Sequence, residues 1–201
     1  FITSFVEKPN AQEILNWKSD VSEAMQAENR FYLASMGIYV FDRDLLVDLM
    51  NDESTNDFGK EIIPQSIGKY PVLSYPFEGY WTDIGNIRSF YEANLGFTDP
   101  LPDFNLFDNK KKIYTNARIL PTSKITDSRI SDSVIADGCI IHAEKIEHSV
   151  VGIRSRIGKG SVLKRTYMMG SDAYQSLKEI EINRDKILMG VGENCHIENA
   201  I

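Results

Sequence analysis

Four short stretches in the first half of the chain place charged or hydroxyl groups at strand ends or loops. They are EKP at 7–9, SMGIY at 35–39, NDFGKEIIP at 56–64 and GYWTDIG at 79–85. In the first, Lys8 sets a compact ammonium beside Pro9, whose fixed φ stiffens the backbone, and such a group suits a phosphate dianion. Taken singly, each residue also has a plainer reading. Lys8 is then a surface lysine beside a turn and Glu7 a solvated carboxylate. Ser35 and Tyr39 become members of a core strand, where a buried tyrosine finds a hydrogen-bond partner. Asp57 before a helix is a good N-cap, and Trp81 a packing aromatic. The three histidines, His142, His148 and His196, stand in the second half, and no metal-ligand spacing joins them to Cys139 or Cys195.

These stretches need elements to hold them. Asn10 with Glu13 three residues on predicts a capping box and a helix carrying Ile14, Leu15 and Trp17. FYLASMGIYVF (31–41) reads as a buried strand. Asp42 then caps a helix with Leu45, Leu46, Leu49 and Met50 on its core face. Asp57 opens a short helix through Ile62 and Ile63, and PVLSYPF (71–77) returns as a strand. Asn86 starts a last helix, with Ile87, Phe90, Tyr91 and Leu95 on one face. Strands alternating with helices predict a largely parallel sheet, but only two long strands are visible, too few for a complete doubly wound domain. The division is thus residues 1–95 as an α/β segment, 96–117 as a proline-bearing linker, and 118–201 as something different.

That last segment repeats. Apolar residues recur at Ile119, Ile125, Ile130, Ile135, Ile141, Ile146, Val151, Ile157 and Leu163, every five or six positions, with small or polar residues between. Neither the helical period of 3.6 nor the strand period of 2 fits, whereas a near-hexapeptide repeat predicts a parallel β-helix with these residues pointing inward. The repeat pauses over 169–186, read as a loop expelled from the solenoid, and resumes at Val191 and Ile197. It stops at Ile201 without an evident cap, so an oligomer or further sequence is expected to cover that end.

Bulk properties exclude some classes. A net charge of −7 leaves no basic stripe for nucleic acid. No apolar run approaches the roughly 20 residues that span a bilayer. Two distant cysteines outside any CxxC favour reduced thiols and a cytoplasmic location.

The four stretches, together with DSVIADGCII (132–141), HSVVGIRSRIGKG (148–160) and GVGENCHI (190–197), resemble ADP-glucose pyrophosphorylase, the glucose-1-phosphate adenylyltransferase of bacterial glycogen and plant starch synthesis. The likeness runs in order over nearly the whole chain. It implies a partial Rossmann-like nucleotidyltransferase domain followed by a left-handed parallel β-helix, commonly assembled as a tetramer, located in the cytoplasm or, in a plant, the plastid. The implied reaction joins ATP and glucose 1-phosphate to give ADP-glucose and pyrophosphate with Mg²⁺. By the same resemblance Lys8 holds the sugar phosphate and Glu7 accepts glucose hydroxyls. Ser35, Tyr39, Asp57 and Phe58 line the sugar pocket, Trp81 walls it, and Asp83 is a Mg²⁺ ligand. Such an ion, when bound to phosphates, takes one or two carboxylates and keeps several waters. Arg184 and Lys186 fall in the neighbourhood of the family's anionic effector sites, although Glu193 stands where plant-like sequences carry a lysine.

The family's glycine-rich, arginine-bearing loop for the triphosphate has no counterpart here, and the chain opens on FITSF rather than on Met. The expectation is that these residues are the back part of a longer enzyme, inactive alone. A free-standing β-helix module for assembly or regulation, retaining a relic sugar site, is the alternative.

Overall fold

The structure, a computed structural model, describes residues 1–51, 55, 57–183 and 188–201. The chain forms two compact units, Phe1–Phe77 and Glu78–Ile201.

The first unit is built from short helical turns joined by irregular chain. Asn10 and Glu13 form the expected reciprocal cap: the Asn10 carboxamide oxygen accepts from the Glu13 N–H at 2.9 Å, and the Glu13 carboxylate accepts from the Asn10 N–H at 3.0 Å. The cap opens only a 3₁₀ turn, Glu13–Asn16. Helix α1 (Glu23–Ala27) follows, then α2 (Arg43–Met50), whose Asp42 cap accepts from the N–H groups of Asp44 and Leu45. A π turn, Phe58–Ile62, runs into α3 (Ile63–Ser66). Ile62 and Ile63 are this unit's buried hydrophobic residues among those described.

Two expectations fail here. The runs 31–41 and 71–77 form no strand among the described residues, and Val40 is 98% exposed. A strand exists through its ladder, and these runs meet only isolated backbone bonds, Ser19 N–H to Phe31 O and Ile2 N–H to Val72 O. Likewise α2 has no buried residue: Leu45, Leu46 and Leu49 are half-buried and Met50 is exposed.

The second unit is a parallel β-helix with one helix laid on it. Its first coil is β1 (Lys124–Ile125), β2 (Arg129–Ser131) and β3 (Val134–Ile135), and its second is β4 (Ile140–Ile141), β5 (Lys145–Glu147) and β6 (Val150–Val151). The third coil is β7 (Arg156–Ile157) and the long β8 (Val162–Met168), which turns the corner to serve two faces; β9 (His196–Ala200) begins the fourth. Register is strict: Lys124 pairs with Ile140 and Ile140 with Arg156, while Ile130 pairs with Ile146, Ile146 with Leu163, and Leu163 with Ile197. The hexapeptide spacing works because each inward residue then lands on its counterpart one coil away. Ile141, Ile146, Val151, Ile157 and Leu163 are fully buried, with Ile135, Val191 and Ile197 packed against them.

Corners are closed by hydroxyls. The side-chain oxygens of Ser123, Ser133, Ser149 and Ser161 accept the N–H groups of Cys139, Ser149, Thr166 and Cys195, each from the next coil. Buried serines would be costly without partners, but no buried side-chain oxygen or nitrogen among the described residues lacks one. The first coil departs from expectation. Ile125 and Ile130 are exposed, with a paired strand on one side alone, and Ile119, which precedes β1, is 96% exposed.

The pause in the repeat is an excursion between β8 and Val191, which bridges back to Ile157. It carries α5 (Leu177–Ile182), opened by a Ser176–Glu179 capping box, after α4 earlier in the chain. Its departure is tight: a Cβ on Gly152 would stand 2.3 Å from the Met169 carbonyl oxygen. Helix α4 (Ile87–Leu95) lies on the β-helix and belongs to this unit. Phe90 meets Tyr167 edge-on at 5.1 Å, and the Tyr91 hydroxyl donates to the Arg165 carbonyl. Thr98, just beyond, is 2.9 Å from His148 Nδ1, which gives that histidine a structural role.

Candidate functional site

The first unit gathers three of the four sequence stretches. Asp57 caps the π turn, its carboxylate accepting from the Lys60 N–H at 2.9 Å while its own N–H donates to Glu61 at 3.1 Å. The Lys60 N–H bond above all, then the Gly59 N–H and the charges of Lys60 and Lys8, holds the Asp57 carboxyl below its ordinary range against the opposing effect of burial. That Lys8 acts on Asp57 places EKP beside NDFG. Glu7 sits closer still, with its carboxylate over Gly59: a Cβ on that glycine would be 2.3 Å from Glu7 Oε2.

Lys8 presents a side chain that is 88% exposed, with Nζ 3.6 Å from Glu7 Oε1. An exposed pair of this kind adds little to stability and leaves the ammonium open to an anion. The Lys8 backbone is unusual: φ is 47°, left-handed for a non-glycine residue and directly before a proline, where helical conformations are disfavoured. Such conformations are costly and cluster where a side chain must be aimed.

SMGIY joins the same place through its rings and hydroxyls. Tyr39 stacks on Phe58 at 6.2 Å, and Phe41 meets Phe58 at 5.9 Å. Ser35 Oγ and Tyr39 Oη lie 2.9 Å apart. Glu7, Lys8, Asp57 and Phe58 are therefore brought together, with Tyr39 and Ser35 linked through the ring of Phe58. The result is a carboxylate pair, an exposed ammonium, two hydroxyls and an aromatic wall. This set can hold a polyol that carries one anionic group.

Trp81 and Asp83 belong to the second unit. Trp81 is 45% exposed and lines a groove with Tyr80, Glu92, Phe97, Asp103 and Phe104. Carboxylates but no lysine or arginine line this groove, so it suits a neutral polyol face better than a phosphate. Asp83 is exposed, with its carboxylate 3.2 Å from where a Cβ on Gly85 would be. No group of three or more His, Cys, Asp or Glu residues placed to hold a metal ion occurs among the described residues. A lone aspartate of this kind fits Mg²⁺ that arrives with phosphate oxygens and water, and does not fit an all-protein cage. Arg184 and Lys186 lie outside the described residues.

Sequence reasoning missed Gly59, Phe41 and Tyr80. Gly59 stands inside the NDFGKEIIP stretch, but its nearness to Glu7 depends on distant chain segments meeting. No described helix is long and apolar enough to cross a membrane.

Comparison with known protein families divides the chain later than the two structural units do. Residues 1–99 match the nucleotidyl transferase family model, and residues 118–201 match that of the GLGC left-handed parallel β-helix domain. The second match supplies the hand of the solenoid, and the first covers the whole of the opening unit and the segment after it. The two matches, in this order along the chain, fit an ADP-glucose pyrophosphorylase-like protein.

Proposed function

We propose that these residues provide the glucose-1-phosphate side of a glucose-1-phosphate adenylyltransferase. The observation that carries this reading is the meeting of Lys8, Glu7 and Asp57 at one place beside the Tyr39–Phe58 stack.

In the reaction, a phosphate oxygen of glucose 1-phosphate attacks the α-phosphorus of ATP. The bond from that phosphorus to the bridging oxygen breaks, and pyrophosphate leaves with the electron pair. No covalent intermediate with the protein is needed, so the chain's work is alignment and charge neutralisation. Lys8 holds the sugar phosphate by charge-assisted hydrogen bonds. Glu7 accepts from glucose hydroxyls, with Asp57 and the Ser35–Tyr39 hydroxyl pair completing the polar rim. The Tyr39–Phe58 stack gives the apolar face of the sugar a wall. Asp83 would hold Mg²⁺, an ion that would neutralise charge on the phosphates.

By the same resemblance the family's triphosphate loop has no counterpart in these residues, so we assign them no ADP-glucose formation by themselves. The resemblance supports an oligomeric assembly, a tetramer of like or related chains, in the cytoplasm or a plant plastid.

The test is calorimetric binding of glucose 1-phosphate to the chain and to Lys8→Gln. Loss of a charged hydrogen bond weakens binding by about 10- to 100-fold, while glucose itself, lacking the phosphate, is unaffected by the change. Equal affinities of the two proteins for glucose 1-phosphate overturn the assignment of Lys8. A second reading is a β-helix assembly module, favoured by the concentration of the buried core in residues 139–163. It is the better one if the unaltered chain self-associates and binds no sugar phosphate.

A further inference from the structure

Most glycines of this chain have a backbone reason to be glycine. Gly37, Gly68, Gly138, Gly160, Gly170 and Gly190 have positive φ. Gly152 and Gly158 lie against the backbone of the next coil, where a Cβ would stand 2.3 Å from Met169 O and 2.4 Å from Gly192 O. Gly59 has neither reason. It sits in the π turn Phe58–Ile62 with φ outside the left-handed region, where alanine is a better helical residue because glycine loses more backbone entropy on folding. What a Cβ would meet is the end of one flexible side chain: Glu7 Oε2 at 2.3 Å and Cδ at 2.9 Å, with Asp57 Oδ1 at 3.5 Å.

We propose that Gly59 is a positioning residue for sugar recognition: its missing side chain is the space into which the Glu7 carboxylate fits. This inference deepens the reading of Glu7 as an acceptor for sugar hydroxyls and rests on it. The geometry separates function from folding. A methyl at position 59 can be accommodated by swinging Glu7 away, a rotamer change that costs the fold little, because the displaced atoms end a flexible side chain. It costs the site the aimed carboxylate, and the Asp57 cap next to it is left in place.

The conventional expectation for a glycine replaced in a close contact is lost stability and lost function together. Here the two move in opposite directions. Gly59→Ala leaves the thermal midpoint unchanged or higher, shifts the Glu7 side-chain carboxyl carbon resonance, and weakens glucose 1-phosphate binding by about 10-fold or more. In a Glu7→Gln background, Gly59→Ala costs no further affinity, since both changes remove the same interaction. Gly192→Ala, on the β-helix and with only Cys195 Sγ at 3.6 Å from its Cβ, is the control and moves neither the Glu7 resonance nor affinity.

The measurements are carboxyl-labelled NMR and calorimetry with glucose 1-phosphate on the 201-residue chain. An unmoved Glu7 resonance in Gly59→Ala, or additive losses with Glu7→Gln, overturns the proposal. Failure of the functional reading looks different: the unaltered chain, or Glu7→Gln alone, shows no role for Glu7 in sugar-phosphate binding. In that case the sugar half of the inference falls with it, even if the resonance moves.

Discussion

Tyr39 and Phe58 stack with their ring planes 13° apart, and this contact ties SMGIY to NDFG, two stretches that are separate in the chain. Phe58 is also in contact with Phe41, so it is the hub of the small aromatic group beside Asp57. Replacing it with leucine keeps an apolar side chain and removes the stack. An aromatic pair contributes about 0.5–1.5 kcal/mol beyond its buried area. Phe58→Leu therefore weakens glucose 1-phosphate binding by about 2- to 10-fold, as titration calorimetry would detect. Unchanged affinity would remove the Tyr39–Phe58 wall from the site.

The β-helix core gives a second prediction. Ile146 is fully buried and lies in register with Ile130 and Leu163 on either side, so truncation leaves a cavity between coils that cannot collapse. Ile146→Ala costs about 2–5 kcal/mol, measured as a lower urea midpoint. Gly158→Ala destabilises for another reason: its Cβ would stand 2.4 Å from Gly192 O, and backbone cannot swing aside. If Gly158→Ala were neutral, the coils would not approach as closely as described.

These cases show which features the sequence could reveal. Ile141, Ile146, Val151, Ile157 and Leu163 were legible because a solenoid repeats one local environment, so spacing alone reports burial. The caps at Asp42, Asp57 and Asn86 were legible because a cap and its N–H partners are within three residues of each other. The strand reading of 31–41 failed because apolar composition does not report a ladder partner, and Ile38 and Val40 are exposed. In the candidate site, residue types were readable from four motifs, whereas the space that Gly59 gives Glu7 depends on a long-range approach no local pattern encodes.

Uneven burial predicts uneven dynamics. In the first unit Ile62 and Ile63 are the buried hydrophobic residues among those described, while the solenoid stacks seven from Cys139 to Leu163. Amides that open only with the core exchange slowest. Hydrogen exchange is thus expected to be slowest over residues 140–168 and fast over residues 1–50, and protease to trim residues 1–77 before the β-helix. Uniform protection along the chain would contradict this distribution of core.

Acid acts on one charged row of the β-helix. Lys164 on β8 is in register with Glu147 on β5 and Glu198 on β9. Glu198 is held below its ordinary pKa chiefly by the hydrogen bond from Lys164, at 3.0 Å, with His196 assisting. Glu147 is lowered first by its hydrogen bond from Lys145, at 2.7 Å, and further by the charges of Lys164 and His148. Both carboxyls have folded pKa values below their unfolded ones. Their contribution is therefore complete above the unfolded carboxylate pKa and disappears as pH falls through the folded value. The urea midpoint of the β-helix should fall on acidification below the ordinary glutamate range, modestly because the pairs are partly exposed and screened by salt. Glu147→Gln with Glu198→Gln flattens that dependence and leaves the Ile146 core untouched. If the double variant kept the full acid sensitivity, other carboxylates would have to carry it.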